Sequence, residues 1–440
     1  MKILIFSQDW YPENSVPQRR WTWLTKILRE SNHEVVVFAP QPRNSPRSDE
    51  RQVGTVRRSN SDGFSRTEFG PSEEKIIRTS FTSTGTSISR RVFEQAVITV
   101  ESIFTVYRYR ADIKGVDLVI GTIPALPTAL TAFVVGKIVR RPFVIDLRDN
   151  WPELIRQANR WNESIGKRTV WSRLFTGSPF VALGWMISKA LNYILSQADG
   201  ILVTSQDLEE RLRAGQSKSA RLTRQGTERI ATIRNVFPVE SELGVQAEAV
   251  VDRNCLRVLY AGTLGRAQNL RNAIDAAEIL RQKGGNAILW FVGSGASMEG
   301  LESYAQDRQV EIIIDEKRAA DDLGDLYGWA DTALVHLTDW EPLECVVPSK
   351  TYELMDAGVH ISGVVCGETA RLITDLKAGH IVAPEAPRQL ATLWQQLLED
   401  RNRLAVPPQG RRWVGSEREQ TVPRQVSSFI DSFEVKHEAN

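Results

Sequence analysis

The feature that most constrains this chain is an alternation, met twice, of short apolar runs rich in β-branched residues with helical segments. Residues 2–7, 34–39, 116–122, 142–147 and 200–205 read as strands. Helical spacing at 21–30 and 129–139, and in a segment ending near Ala198 and Asp199, separates them. The pattern then restarts. Strands are expected at 256–260, 287–292, 311–314, 332–336 and 360–365, with helices at 269–282 and 388–400 among them. Runs that are apolar on both faces and separated by helices specify a parallel sheet wrapped by helices. The expected fold class is therefore α/β, with two doubly wound units in tandem. In such sheets ligands bind outside the carboxyl ends of the strands.

The reading divides the chain into a first domain at 1–238, a linker at 239–254, a second domain at 255–408 and a C-terminal helical segment at 409–440. Two domains are the ordinary expectation for 440 residues. Residues 415–433 are amphipathic and are expected to cross back to the first domain. Residues 41–89 are rich in Ser, Arg, Gly, Thr and Pro around one short apolar core, Ile76-Ile77, and read as a long loop.

Lysine and arginine number 55 against 54 acidic residues, a balance that argues against nucleic acid as the main partner. The three cysteines, Cys255, Cys345 and Cys366, have neither metal-ligand spacing nor a disulfide framework, which points to a reducing, cytoplasmic setting. The opening Met1-Lys2-Ile3-Leu4-Ile5-Phe6 has only four apolar residues in a run and reads as a strand rather than a signal peptide. No apolar run is long enough to span a membrane. No histidine occurs between His33 and His336, so proton transfer within that stretch falls to a carboxylate or to the substrate.

The chemistry-bearing pattern of the second domain is Pro348-Ser349-Lys350-Thr351-Tyr352-Glu353, running into Leu354 and ending at Gly358. Proline, small polar residues and then an apolar-periodic segment closed by glycine form a helix with a polar N-terminus. Ser349 can cap it, while Lys350 and Glu353, three apart, face the same side. A serine and a lysine at a helix N-terminus suit a phosphate, and the carboxylate one turn in suits ribose hydroxyls. An ordinary surface helix with a polar first turn fits the local pattern equally. The domain also opens with Tyr260-Ala261-Gly262-Thr263-Leu264-Gly265-Arg266-Ala267-Gln268. Gly262 and Gly265 permit close backbone approach, and Arg266 offers a fork of donors to a diphosphate. This is not the G-x-G-x-x-G dinucleotide pattern. Gly293-Ser294-Gly295 reads as a plain turn.

In the first domain, Arg148-Asp149-Asn150-Trp151-Pro152-Glu153 follows the strand at 142–147. Arg148, Asp149 and Glu153 at a strand's carboxyl end favour a functional role over a merely capped helix start. The loop from Ser7 to Ser15 belongs to the same edge and, being polar and aromatic, suits carbohydrate. Arg19 or Arg20 could add a phosphate contact. Residues 90–110 mix Val, Ile, Phe and Tyr with Arg90, Arg91, Arg108 and Arg110 at their ends, and residues 171–195 are apolar with few charges, Arg173 and Lys189. They fit either core helices or a face against an anionic membrane. Trp151, Trp161, Trp171 and Trp185 could stack on sugar or fill space.

With these residues in view, the chain resembles the GT-B glycosyltransferases, specifically retaining family four and its WbuB-like branch of capsule and O-antigen sugar transferases. The resemblance covers nearly the whole chain. It rests on Tyr11-Pro12-Glu13, Asn32-His33-Glu34-Val35, the segment 148–153, Ala198-Asp199-Gly200, Tyr260-Ala261-Gly262 with Gly265 to Gln268, and Val347-Pro348-Ser349-Lys350 with Tyr352-Glu353. It implies two Rossmann-like domains and transfer of a sugar from a nucleotide donor, with UDP-sugars favoured. The implied acceptor is a saccharide or polyprenyl-linked saccharide, no metal or other cofactor is required, and the enzyme could sit on the inner face of the cytoplasmic membrane. Lys350 and Arg266 would meet the diphosphate, and Glu353 the ribose. Gly262, Gly265, Gln268 and Ser349 would complete the donor site. Asp149 and Glu344 would be catalytic, and Ser15, Arg19, Arg148 and Glu153 would belong to the acceptor side. The family commonly carries two glutamates eight apart, whereas here Cys345 holds the earlier position and Glu344 stands one residue further out. A nucleotide-sugar epimerase or hydrolase, and a non-catalytic nucleotide-sugar-binding subunit, are the competing functions, because fold alone does not separate them.

Overall fold

The computed structural model describes residues 1–13, 15–42, 66–79, 88–123, 126–151, 153–156, 178–214, 229–238, 254–318 and 320–434. Residues 239–253 of the expected linker at 239–254, residues 171–177, Pro152 and Trp161 lie outside them. The chain forms two compact units, each built on its own sheet.

The first unit contains β1 (Lys2–Phe6), β2 (Glu34–Pro40), β3 (Arg66–Phe69), β4 (Lys75–Thr79), β5 (Leu118–Ile123), β6 (Phe143–Leu147), β7 (Gly200–Val203) and β8 (Ile230–Thr232). Their order is β3-β4-β2-β1-β5-β6-β7-β8. All neighbours pair in parallel except β3 and β4. The central strand β1 sets Ile3 opposite both Val35 of β2 and Leu118 of β5. Ile3, Leu4 and Ile5 are wholly buried, as befits a strand covered on both faces.

Two expectations are corrected here. The segment 41–89 is not a featureless loop, because it contributes β3 and β4 to the sheet. Strand β4 carries a buried arginine: Arg78 donates to the Pro40 carbonyl at 3.1 Å and to Glu68 Oε2 at 3.2 Å, and also reaches the Tyr11 carbonyl. Such a strand has too few apolar residues to announce itself. The first helix, read from residue 21, begins at Val16, with Ser15 Oγ capping it by accepting from the Gln18 N–H at 3.3 Å. Its first turn buries Gln18 and Arg20, polar residues that give no apolar period.

Arg20 and Asp146 form a fully buried ion pair, with Arg20 Nη2 to Oδ1 at 2.9 Å and Nε to Oδ2 at 3.3 Å. Trp21 Nε1 donates to the same carboxylate at 2.8 Å, and Arg20 Nη1 donates to the Ile233 carbonyl and to Asn235 Oδ1. Near the chain's end, helix Val422–Asp431 packs on helix Val16–Glu30 and on β8. Its Phe429 meets Phe433 edge to face, and the Arg229 guanidinium lies 4.6 Å from the Phe433 ring.

The second unit contains β9 (Cys255–Ala261), β10 (Asn286–Val292), β11 (Ile312–Asp315), β12 (Thr332–His336), β13 (Ile361–Val364) and β14 (Gly379–Val382). Their order is β11-β10-β9-β12-β13-β14, entirely parallel. Helices Arg271–Gln282 and Pro387–Glu399 pack together over one face, burying Leu280, Trp394 and Leu397 against Leu256, Val258 and Phe291. Strands β8 and β14 were not foreseen. The first has three residues, and the second is a partly exposed edge strand.

Buried imidazoles tie this unit's stability to pH. His336 meets Asn272 Nδ2 at 3.0 Å, and His360 meets Thr332 Oγ1 and His380 Nδ1, each at 2.8 Å. Burial pushes both His336 and His360 down to about 3 from an ordinary 6.5. Their neutral forms are held in the fold, so protonation favours the unfolded chain. The stabilisation is complete above about pH 6.5 and is lost as pH falls through the window towards 3. Each should cost about 1.4 kcal/mol per pH unit in that window. Chemical denaturation of the second unit at about pH 7 and about pH 5 should show this loss, and His336→Gln should remove about half of the slope.

Candidate functional site

In the second sheet the order reverses between β9 and β12, and the crevice outside the carboxyl ends of those strands is the position where doubly wound sheets bind ligands. The segments that leave this edge are those carrying the expected donor residues. The 3-10 turn Arg266–Gln268 follows β9, and the turn Glu341–Cys345 follows β12. They are joined where the Thr338 N–H donates to the Ala267 carbonyl at 2.8 Å.

Helix Ser349–Ala357 comes next. It is an interior helix: Ser349, Thr351, Tyr352, Glu353, Leu354 and Met355 are all buried, which disposes of the surface-helix alternative. Gly358 closes it in the left-handed conformation, at φ 73°. The expected cap is corrected. Pro348 holds the N-cap position without a side-chain hydrogen bond, and Ser349 is the first helical residue. Proline there fixes the entry angle and presents no N–H of its own. Lys350 and Glu353 meet as their spacing predicts, with Nζ to Oε2 at 2.6 Å. Glu353 is buried, Lys350 reaches solvent, and Tyr327 Oη stands 3.5 Å from Lys350 Nζ.

At the same edge of the sheet the backbone is drawn tight. The Gly262 N–H donates to the Val292 carbonyl at 2.9 Å, and the Leu264 N–H to the Ser294 carbonyl at 3.0 Å. The loops after β9 and β10 thus lie against each other. A Cβ at Gly293, whose φ is 157°, would stand 1.8 Å from the Gly262 oxygen. The close approach seen at Gly262 is therefore of loop to loop, and a Cβ at Gly265 would meet Gln268 Oε1 at 2.7 Å. A Cβ at Gly367, whose φ is 61°, would stand 2.0 Å from the Glu344 carbonyl. The segment after β13 therefore braces the turn that carries Glu344.

In the first unit the corresponding reversal lies between β1 and β5. At this edge Ser7 Oγ donates to the Asp9 carbonyl at 2.8 Å and lies 3.4 Å from Thr122 Oγ1. Trp10 is buried, its Nε1 donating to the buried Glu74 at 3.1 Å. Arg148 and Asp149 follow β6, with Arg148 Nε donating to the Ile123 carbonyl at 2.8 Å. Burial pushes the Asp149 carboxyl above the usual carboxylate range, while Arg148 and the Trp151 indole pull it back down. Asp149 keeps partial contact with solvent. Glu153 opens the short helix Glu153–Arg156. Ser15 is engaged as a helix cap, and the Arg19 guanidinium lies 4.5 Å from the Phe237 ring. Arg20, read as a phosphate contact, is instead sealed in its pair with Asp146.

Sequence reasoning missed Tyr327 beside Lys350 and the brace at Gly367. Tyr327 precedes β12 by only five residues and has no local pattern around it. The run Cys366-Gly367-Glu368 directly after a strand was the available signal for the brace. Gly293→Ala and Gly367→Ala should each destabilise the fold by more than about 2 kcal/mol, because both combine backbone strain with a clash against a carbonyl. Thermal unfolding measures this, and a wild-type melting temperature in either variant would contradict the packing described.

With this geometry in place, comparison with known proteins is informative. Residues 255–400 match the family model described as "Glycosyl transferases group 1". No curated protein matches the chain. Among solved structures, sucrose-phosphate synthase from Thermosynechococcus elongatus is 15% identical, with 99% of each chain covered and a TM-score of 0.67. Anabaena HepE in complex with UDP-glucose is 14% identical, covering 98% of this chain and 100% of the other, with a TM-score of 0.62. The lipopolysaccharide outer core galactosyltransferase WaaB is 14% identical, covering 98% and 99%, with a TM-score of 0.57. Residues 255–400 thus match the group 1 glycosyl transferases, and the chain as a whole has the GT-B fold.

Proposed function

We propose that this protein transfers a sugar from a nucleotide-diphosphate donor, with UDP-sugars favoured, to a saccharide or lipid-linked saccharide acceptor. The setting would be cell-surface polysaccharide or glycolipid synthesis, at the inner face of the cytoplasmic membrane. We place it in retaining family four, near the WbuB-like branch. The observation that carries the reading is the Lys350–Glu353 pair on the first turn of an interior helix, inside the matched segment and beside the reversal point of its sheet. The UDP-glucose in the HepE structure supports the choice of donor.

In this reading Lys350 trades its bond to Glu353 for one to the donor diphosphate, which carries more negative charge than a single carboxylate. Glu353 then accepts from the ribose hydroxyls. As the glycosidic bond breaks, negative charge accumulates on the leaving phosphate. Lys350, Arg266 and the N–H groups at Ser349 stabilise it, at a few kcal/mol per well-placed donor. Departure and attack on the same face let the leaving phosphate oxygen take the proton of the acceptor hydroxyl. The configuration is then retained without a histidine. Gly262, Gly265 and Gln268 would shape the loop that admits the diphosphate, and Glu344 would hold the donor sugar. Asp149 would orient the acceptor hydroxyl, with Arg148, Glu153, Ser15 and Arg19 on the acceptor side.

Donor binding is tested by thermal shift with UDP and GDP. A ligand at about a hundredfold its Kd stabilises the native state by about 2.7 kcal/mol. UDP should raise the melting temperature more than GDP, and Lys350→Ala and Glu353→Ala should each remove the rise. Normal nucleotide-sugar affinity in either variant would rule out the donor assignment.

Asp149 gives a second test. Its carboxyl is raised in the fold, so its ionisation opposes folding above the ordinary carboxylate range. Asp149→Asn should leave UDP binding intact, slow transfer, and be at least as stable as the parent at neutral pH. Unchanged turnover would remove Asp149 from the reaction.

A further inference from the structure

The Lys350 ammonium has three hydrogens to place, and its short bond to Glu353 uses one of them. Among the described residues, the other acceptor set beside it is the phenolic oxygen of Tyr327, at 3.5 Å. That is a loose contact, since N–H···O hydrogen bonds ordinarily run at about 2.7–3.2 Å. Lys350 leans towards Glu353, and Tyr327 stands just beyond full bonding range.

Tyr327 is held by a frame that depends on neither member of the pair. It lies in the short helix Gly324–Trp329, which has too few residues to be stable alone. The residues that follow it fasten that helix to the sheet. Trp329 meets Trp290 of β10 edge to face at 4.9 Å. Asp331 accepts from the Arg257 N–H at 2.8 Å and lies 3.0 Å from Arg401 Nη1. Leu326, Tyr327 and Gly328 are buried, and Tyr327 is only 2% exposed. The helix belongs to the crossover from β11 to β12, so it descends from the carboxyl edge of the parallel sheet. Helical side chains lean towards the N-terminus of their helix. The phenol is thereby aimed back at that edge, where Lys350 stands.

The two acceptors act differently on an ammonium. Glu353 cancels its charge, whereas a phenol, uncharged in its ordinary state, orients it and leaves the charge in place. The difference matters once a diphosphate arrives. In the donor-site reading given above, on which this inference rests, Glu353 turns to the ribose and the ammonium gives up its short bond. A lysine stem is flexible, and holding it in one rotamer costs conformational entropy. Tyr327 is already in place to limit that freedom, because a shift of about 0.6 Å brings Nζ to the usual hydrogen-bond distance. We propose that Tyr327 is a positioning residue of the donor site. Its phenolic oxygen takes over the Lys350 ammonium as Glu353 turns to the ribose, so that the lysine meets the diphosphate from a fixed place with its charge intact.

The test compares UDP with uridine on the full chain, using calorimetry for UDP and ligand-observed saturation-transfer NMR for uridine. The two ligands differ by the diphosphate, the part that Lys350 is placed to meet. Tyr327→Phe removes one oxygen and keeps the ring, so its melting temperature should match that of the parent. The variant should bind UDP at least about fivefold more weakly, on the scale of a hydrogen bond to a charged group. Its affinity for uridine should stay the same. A residue that only supports the fold would weaken both ligands together, so the ratio of the two affinities decides the matter even if the variant melts lower. Unchanged UDP affinity, or a parallel loss of UDP and uridine, would overturn the inference. A parent chain that binds UDP while Tyr327→Phe binds it equally well loses this inference and keeps the donor site. A parent chain that binds neither UDP nor GDP loses both.

Discussion

Strand β9 is hydrogen-bonded in parallel to β10 on one side and β12 on the other, and the connections leaving these neighbours run in opposite directions. That constraint underlies everything proposed for the second unit. A parallel strand cannot return by a tight turn, so each connection must cross over the sheet and deliver its following loop to the same edge. Where the direction of winding reverses, two such loops part and leave a crevice. Arg266 is far in sequence from Glu344 and from the helix of Lys350 and Glu353 that follows it, yet all leave the carboxyl edge on that account. The same reversal at β1 and β5 governs the loops of the first unit.

The edge is held rigid by interactions that look functional from sequence but are structural. Arg20 and Asp146 illustrate this. Burying two charges costs several kcal/mol of hydration per ion, and the pair is offset by further hydrogen bonds to Trp21, Asn235 and the Ile233 carbonyl. Its effect is positional. The pair ties the first helix to β6, the strand whose next residues are Arg148 and Asp149. Gly293 and Gly367 act likewise through backbone, by letting one loop rest on another's carbonyl.

These cases show what was legible in the sequence. Strands apolar on both faces, such as β1, β5, β6 and β12, appear almost at their expected bounds, because burial on two sides leaves only one residue class. Strand β4 escaped because a buried arginine breaks its apolar run, and β14 because an edge strand with an exposed side need not be apolar. In the site, Lys350 and Glu353 were readable because helical periodicity alone brings them together. Tyr327 was not, since its nearness to Lys350 is set by how two helices pack. Arg20 was misread for a related reason. An arginine's environment is decided by residues more than a hundred positions away, and nothing local distinguishes a sealed guanidinium from a waiting one.

The Lys350–Glu353 pair also explains how a site for an anion can be held in wait without a large penalty. An unpaired buried carboxylate would lose several kcal/mol of hydration, and Glu353 is buried. Lys350 neutralises it at 2.6 Å while keeping its own ammonium near solvent, where losing one partner for another costs little. A diphosphate arriving at that ammonium therefore exchanges one ionic bond for another rather than creating one from bare charges, and ribose hydroxyls replace the ammonium as donors to the carboxylate. The same exchange makes the two residues interdependent. Without Lys350 the buried Glu353 repels an anion, and without Glu353 the lysine keeps only the longer contact to Tyr327 to position it. In a double-mutant cycle their effects on nucleotide affinity should therefore fall well short of additive, by at least about 1 kcal/mol.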